Sequence, residues 1–102
     1  MLTIFKSFVY FLVKMDDLVI INWLHDGAYR IKVMQILNSS PDFPNKISKS
    51  LNIHKSSLSR ILNDLHNKGL IERITSSSRT ITYKITELGK IILKKVEKNG
   101  IK

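Results

Sequence analysis

At Gly69 the apolar residues of this chain change their spacing. In "HKSSLSRILNDLHNKG", Leu58, Ile61, Leu62 and Leu65 follow the three- and four-residue rhythm of a helix with one buried stripe, and Gly69 suits the left-handed residue that closes it. In "LIERITSSSRTITYKIT" the period falls to two. Ile71, Arg73 and Thr75 alternate with Glu72 and Ile74, and Ile81, Tyr83 and Ile85 alternate with Thr80, Thr82, Lys84 and Thr86. Ser76, Ser77, Ser78 and Arg79 separate the two runs, which therefore read as a β-hairpin with a polar, basic tip. A helix that closes on a glycine and passes straight into a hairpin leaves few folds open to a chain of this size.

The flanks extend the pattern. "DDLVIINWLHDGAYRIKVMQILNSS" places apolar residues at Leu18, Ile21, Trp23 and Leu24, then at Ile31, Met34, Ile36 and Leu37, predicting two helices broken near Asp26 and Gly27. "FPNKISKSLN" predicts a two-turn helix with Pro44 in its first turn and Ile47 and Leu51 on one face. Asn52 and Ile53 make a tight connection to the helix at 54–68, which begins at His54 or, with Ser56 as cap, about a turn later. Downstream, "TELGKIILKKVEKNGIK" predicts a last helix capped by Thr86, with Leu88, Ile91, Ile92 and Val96 on one face and lysines on the other. Trp23, Tyr29, Phe43 and Tyr83 read as core residues.

The 102 residues suffice for one domain with a modest core. There is no cysteine, which excludes disulfides and thiolate metal sites, and His25, His54 and His66 have no metal-site spacing. No cofactor is expected. In the opening "MLTIFKSFVYFLVK" the longest unbroken apolar run is Phe8 to Val13, whereas a membrane helix needs about twenty residues. Lys14, Asp16 and Asp17 follow with no small-residue cleavage site, so a cytoplasmic protein without a membrane span is expected. Met15 offers an alternative start. No Ser/His/Asp set, carboxylate pair or Gly-rich phosphate loop suggests an enzyme.

Charge divides the chain. Residues 1–45 carry four bases and four acids, whereas residues 46–102 carry thirteen bases against Asp64, Glu72, Glu87 and Glu97, so the whole net charge of +9 lies in the second part. A Lys-rich composition alone would spread the excess evenly. A one-sided positive field is what phosphate binding requires, because each neutralised phosphate releases condensed counterions.

The stretch "ISKSLNIHKSSLSRILNDLHNKGLIER", followed by the hairpin and "YKITELGK", resembles the DNA-binding domains of MarR- and ArsR-type prokaryotic transcriptional regulators. The shared marks are Ile53 in the turn, the L-x-x-L-x-x-x-G-L-I pattern at Leu62, Leu65, Gly69, Leu70 and Ile71, and the T-x-x-G pattern at Thr86 and Gly89. Two features depart from those families: His54 stands where a Ser or Thr cap is usual, and Arg79 is alone at the tip without an acidic partner. The composition and compact size suit an archaeal or archaeal-virus protein.

The resemblance implies an α+β, mainly α fold: a winged helix-turn-helix with a two-stranded β-hairpin wing and additional N- and C-terminal helices. Residues 1–27 would form an apolar helical segment used in dimerisation, 28–86 the DNA-binding unit and 87–102 a C-terminal helix.

A helix that enters the major groove buries one stripe and turns short polar and basic side chains outward, its amino-terminal turns meeting the bases. That description fits His54, Lys55, Ser56, Ser57, Ser59, Arg60 and Asn63, with Ser57 and Arg60 the foremost candidates for base contact and Lys55 for phosphate. The wing, with Ser77 and Arg79 at its tip, would reach a minor groove or its flanking phosphates, and Lys46, Lys49 and Lys84 would flank the duplex.

The expected partners are double-stranded DNA and a second copy of the chain, since a single winged helix reads only a few base pairs. No small-molecule effector site is evident. A protein–protein adaptor built on the same fold is the main alternative. RNA is disfavoured because a helix does not enter the deep, narrow groove of an A-form duplex.

Overall fold

The computed structural model describes residues 17–98, and the expectations placed on 1–16 lie outside them. Helix α1 spans 17–25 and is followed by α2 (Arg30–Ser39), α3 (Pro44–Leu51), α4 (Lys55–Asn67), β1 (Ile71–Thr75), β2 (Ile81–Ile85) and α5 (Glu87–Lys98). The break between the first two helices falls at Asp26 and Gly27, as their polarity and flexibility predict.

One core joins these elements. Leu24 of α1, Val33, Met34 and Leu37 of α2, Ile47 of α3 and Leu58, Leu62 and Leu65 of α4 are buried together with Ile71, Tyr83, Ile85, Ile92, Leu93 and Val96. Each such side chain contributes roughly 1.5–3 kcal/mol relative to exposure. The stripe read on α4 is the buried one, with Ile61 half-buried at its edge.

The connections follow from single residues. Asn52 is left-handed at φ 56°, and behind it the Ile53 N–H donates to the Ser48 carbonyl at 3.1 Å, which turns α3 sharply into α4. At the far end of α4, Gly69 lies at φ 78°. Its N–H donates to His66 O at 2.9 Å, and the Leu70 N–H donates to Leu65 O at 3.1 Å, the paired bonds of a Schellman closure.

The hairpin is antiparallel, with Ile71 opposite Ile85, Arg73 opposite Tyr83 and Thr75 opposite Ile81. On the other edge of β2, Asp42 and Tyr83 exchange two backbone bonds of 3.0 Å each, which ties the base of the wing to the start of α3. Thr86 then caps α5: its Oγ1 accepts the Gly89 N–H at 3.0 Å and donates to Gly69 O at 2.7 Å.

Several expectations require correction. Helix α5 is rotated from the predicted face: Gly89, Ile92, Leu93 and Val96 are buried, whereas Leu88 and Ile91 are exposed. The cause is Gly89, which must face inward beneath Leu70. Of the four aromatics taken as core, Tyr83 is buried and Trp23 half-buried, but Tyr29 and Phe43 are exposed. Tyr29 and Phe43 occupy the positions just before α2 and α3, where the chain lies outside the packed faces. Leu18 is also exposed. Helix α4 begins at Lys55 with His54 at the cap position and no side-chain cap bond, so Ser56 lies within the helix.

Candidate nucleic-acid interface

Helix α4 presents a polar ridge. At 100° per residue, Ser56, Arg60, Asn63 and Asn67 lie opposite the Leu58, Leu62 and Leu65 stripe, and all four are exposed. Lys55 and Ser59 flank the ridge on one side, and Ser57 flanks it on the other, beside Asp64 and Lys68. Of the two foremost candidates, Arg60 therefore lies on the ridge and Ser57 beside it. Arg60 offers a planar five-donor fork, and Asn63 one turn later offers both a donor and an acceptor. His54 supplies no side-chain cap, so the first N–H groups of α4 remain available to an anion at the positive end of the helix.

The hairpin tip is ordered by its own polar atoms. Arg79 N–H donates to Ser76 O at 3.0 Å and Ser76 N–H to Thr80 O at 3.1 Å. The hydroxyls of Ser76, Ser78 and Thr80 form a chain of 2.8 and 3.1 Å contacts. Arg79 itself sits at φ 65°, an unfavourable region for a residue with a β-carbon. Ser77 is exposed at the tip.

Lys46 and Lys49, on the exposed side of α3, share a groove of about 540 Å³ with Arg79. Phe43, Pro44, Asn45, Thr80 and Ile81 complete its lining. Helix α3 packs against both α4 and β2 and so lies between the ridge and the wing. Lys84 stands apart from this group. It pairs across the strands with Glu72 at 3.6 Å and lines a separate cleft with the Asn38–Pro41 turn and Lys90.

Phe43, Asn45 and Asn67 are exposed on this surface as well, beyond the residues expected from the sequence. Asn67 was legible from its seven-residue offset from Arg60; Phe43 was not, because an aromatic residue is usually buried. Among the described residues no group of three or more His, Asp or Glu side chains is placed to hold a metal, and no helix is long and apolar enough to cross a membrane.

The ordered helices, the hairpin tied to the start of α3 and the outward ridge of α4 define a winged helix-turn-helix, the fold of MarR-type regulators. MarR from E. coli superposes with a TM-score of 0.68 at 21% identity, covering 91% of this chain and 73% of MarR. The transcriptional regulator BldR from Sulfolobus solfataricus gives 0.67 at 16% identity, covering 92% and 72%. A mutant of Lactococcus lactis ZitR in complex with DNA gives 0.62 at 20% identity, covering 67% and 48%, so this chain spans about half the length of ZitR. At these identities the likeness is one of fold. No curated protein matches the sequence significantly. The chain belongs to the family described as the HVO_A0261 N-terminal domain, which matches residues 20–99.

Proposed function

We propose that the protein is a sequence-specific double-stranded DNA-binding transcriptional regulator, with α4 seated in the major groove and the wing at the adjacent minor groove or backbone. The observation that carries this reading is the two-faced character of α4: Leu58, Leu62 and Leu65 are buried while Ser56, Arg60 and Asn63 project from the opposite side. The excess of bases over acids in residues 46–102 supports it, as does the presence of a DNA complex among the proteins of this fold. In this reading Arg60 takes a guanine edge in a bidentate fork, Asn63 and the serines take base or phosphate, and Lys46, Lys49 and Lys55 take phosphates. The protein works without a cofactor or catalysis, in the cytoplasm.

Residues 28–86 carry DNA binding in this proposal, while 1–27 and 87–102 carry dimerisation. Lys95 of α5 pairs with Asp17 of α1, and Leu18, Val19, Leu88 and Ile91 on these two helices are exposed. The same apolar residues favour the second reading, a protein–protein adaptor. Light scattering tests the dimer, and a monomer at micromolar concentration would remove it.

Fluorescence anisotropy of wild type and Arg60→Ala, against random duplex and against the DNA upstream of its own gene, tests the main reading. Salt-dependent preference for the upstream DNA, lost in Arg60→Ala, is expected. Binding that is absent at low salt, or unchanged by the substitution, makes the adaptor the leading reading.

A further inference from the structure

We infer that the wing tip and α3 grip one stretch of DNA backbone between them, so that Arg79 reads phosphate rather than the minor groove; the inference rests on the DNA-binding reading above. Lys46, Lys49 and Arg79 come from segments thirty residues or more apart in sequence, yet they line one groove, with no carboxylate among its lining residues. Three cations around one concavity repel one another until an anion enters. The rest of the lining is not polar throughout. Phe43, which is 47% exposed, Pro44 and Ile81, the last half-buried and packed against the core, give it an apolar wall.

An occupant that satisfies both halves is anionic at regular intervals and apolar between them, and a sugar–phosphate chain has that chemistry. Phosphates meet the two lysines and the arginine, while deoxyribose faces lie against Phe43 and Ile81. The geometry is set in advance. The two backbone bonds between Asp42 and Tyr83 fasten β2 to the residue preceding Phe43, and the turn bonds at Ser76 hold Arg79. An arginine devoted to the minor groove has to leave the protein surface and enter a slot about 6 Å wide. Arg79 instead shares a concavity with α3.

The test uses anisotropy titrations over a range of salt, on two duplexes with the same central site and with either A·T-rich or G·C-rich flanks. The proteins are wild type, Lys49→Ala, Arg79→Gly, Phe43→Ala and Phe43→Leu, each with its thermal melt recorded. Lys49→Ala and Arg79→Gly each reduce the slope of log K against log salt by about 1, equally on both duplexes. Phe43→Ala weakens binding by roughly fivefold at unchanged slope, and Phe43→Leu recovers part of the loss. A loss in Arg79→Gly confined to the A·T-rich duplex overturns the inference while leaving DNA binding intact, as does full affinity in Arg79→Gly or Phe43→Ala. Wild type that binds neither duplex overturns the DNA reading itself, and the inference with it.

Discussion

A β-carbon on Gly89 would stand 2.1 Å from the carbonyl oxygen of Leu70. The same atom would lie 2.7 Å from Cγ1 of Ile85, so the first turn of α5 approaches the chain leaving α4 more closely than any side chain allows. That carbonyl also accepts the Thr86 N–H at 3.0 Å. The link joins the end of the ridge-bearing helix to the start of α5, and α5 in turn packs on α2. The orientation of α4 therefore depends on a glycine outside the proposed interface.

Gly89→Ala is expected to cost at least about 3 kcal/mol, because the obstruction is backbone that cannot rotate away. A melting temperature lower by about 15 °C, followed by circular dichroism, checks this. Gly69→Ala provides the contrast. Its β-carbon meets nothing nearer than Leu88 Cδ2 at 3.9 Å, so only the left-handed φ of 78° is penalised, at about 1–2 kcal/mol. Equal losses in the two variants would contradict the steric account.

Thr86 both donates to Gly69 O and accepts from Gly89 N–H. Thr86→Ser keeps the hydroxyl and should melt within a few degrees of wild type. Thr86→Val keeps the shape and loses both bonds, at a cost of about 1–2 kcal/mol. A thermal melt in which Ser and Val behave alike would show that the hydroxyl is irrelevant.

Arg79 at φ 65° sets binding against stability. Arg79→Gly relieves the backbone and should raise stability by about 1 kcal/mol, while weakening affinity for DNA. Chemical denaturation and a DNA titration on the same sample read both effects. An arginine retained only as a solvated turn residue would give the first effect without the second.

Trp23 lies under the Arg30 guanidinium, 4.0 Å from ring centroid to Cζ, and the Lys68 ammonium stands 5.2 Å from the same ring. Arg30 also donates to the Trp23 carbonyl. Because Trp23 is the single tryptophan, its emission reports how α1 sits against the end of α4. Arg30→Ala should shift that emission to the red and cost roughly 1–2 kcal/mol. Unchanged emission would mean that the stack does not persist in solution.

The α4 stripe, the Gly69 closure, the hairpin and the Thr86 cap were legible because each follows from a local rule: three- and four-residue spacing, a left-handed φ, two-residue alternation and a hydroxyl before a free helix start. The face of α5 was not. Leu88, Ile91, Ile92, Leu93 and Val96 span more than one side of a helix, and the choice between sides is made by Gly89 against Leu70, a contact formed only in three dimensions. Phe43 was misplaced for a related reason, since residue type favours burial and only its position before α3 leaves it outside. For the candidate site, charge marked residues 46–102 as basic but could not separate Lys84, paired with Glu72, from Lys46 and Lys49, which line one groove with Arg79.

In the proposed function α4, with α3 and the wing tip beside it, faces DNA. The most direct measurement is a titration of the 15N-labelled protein with a duplex from its upstream region, following backbone amide shifts. Changes are expected at Lys55–Arg60, Asn63, Asn45–Lys49 and Ser77–Thr80, with Lys90, Lys94 and Lys98 of α5 silent. Shifts centred on the α5 lysines, with Arg60 and Asn63 unmoved, would contradict the proposed function.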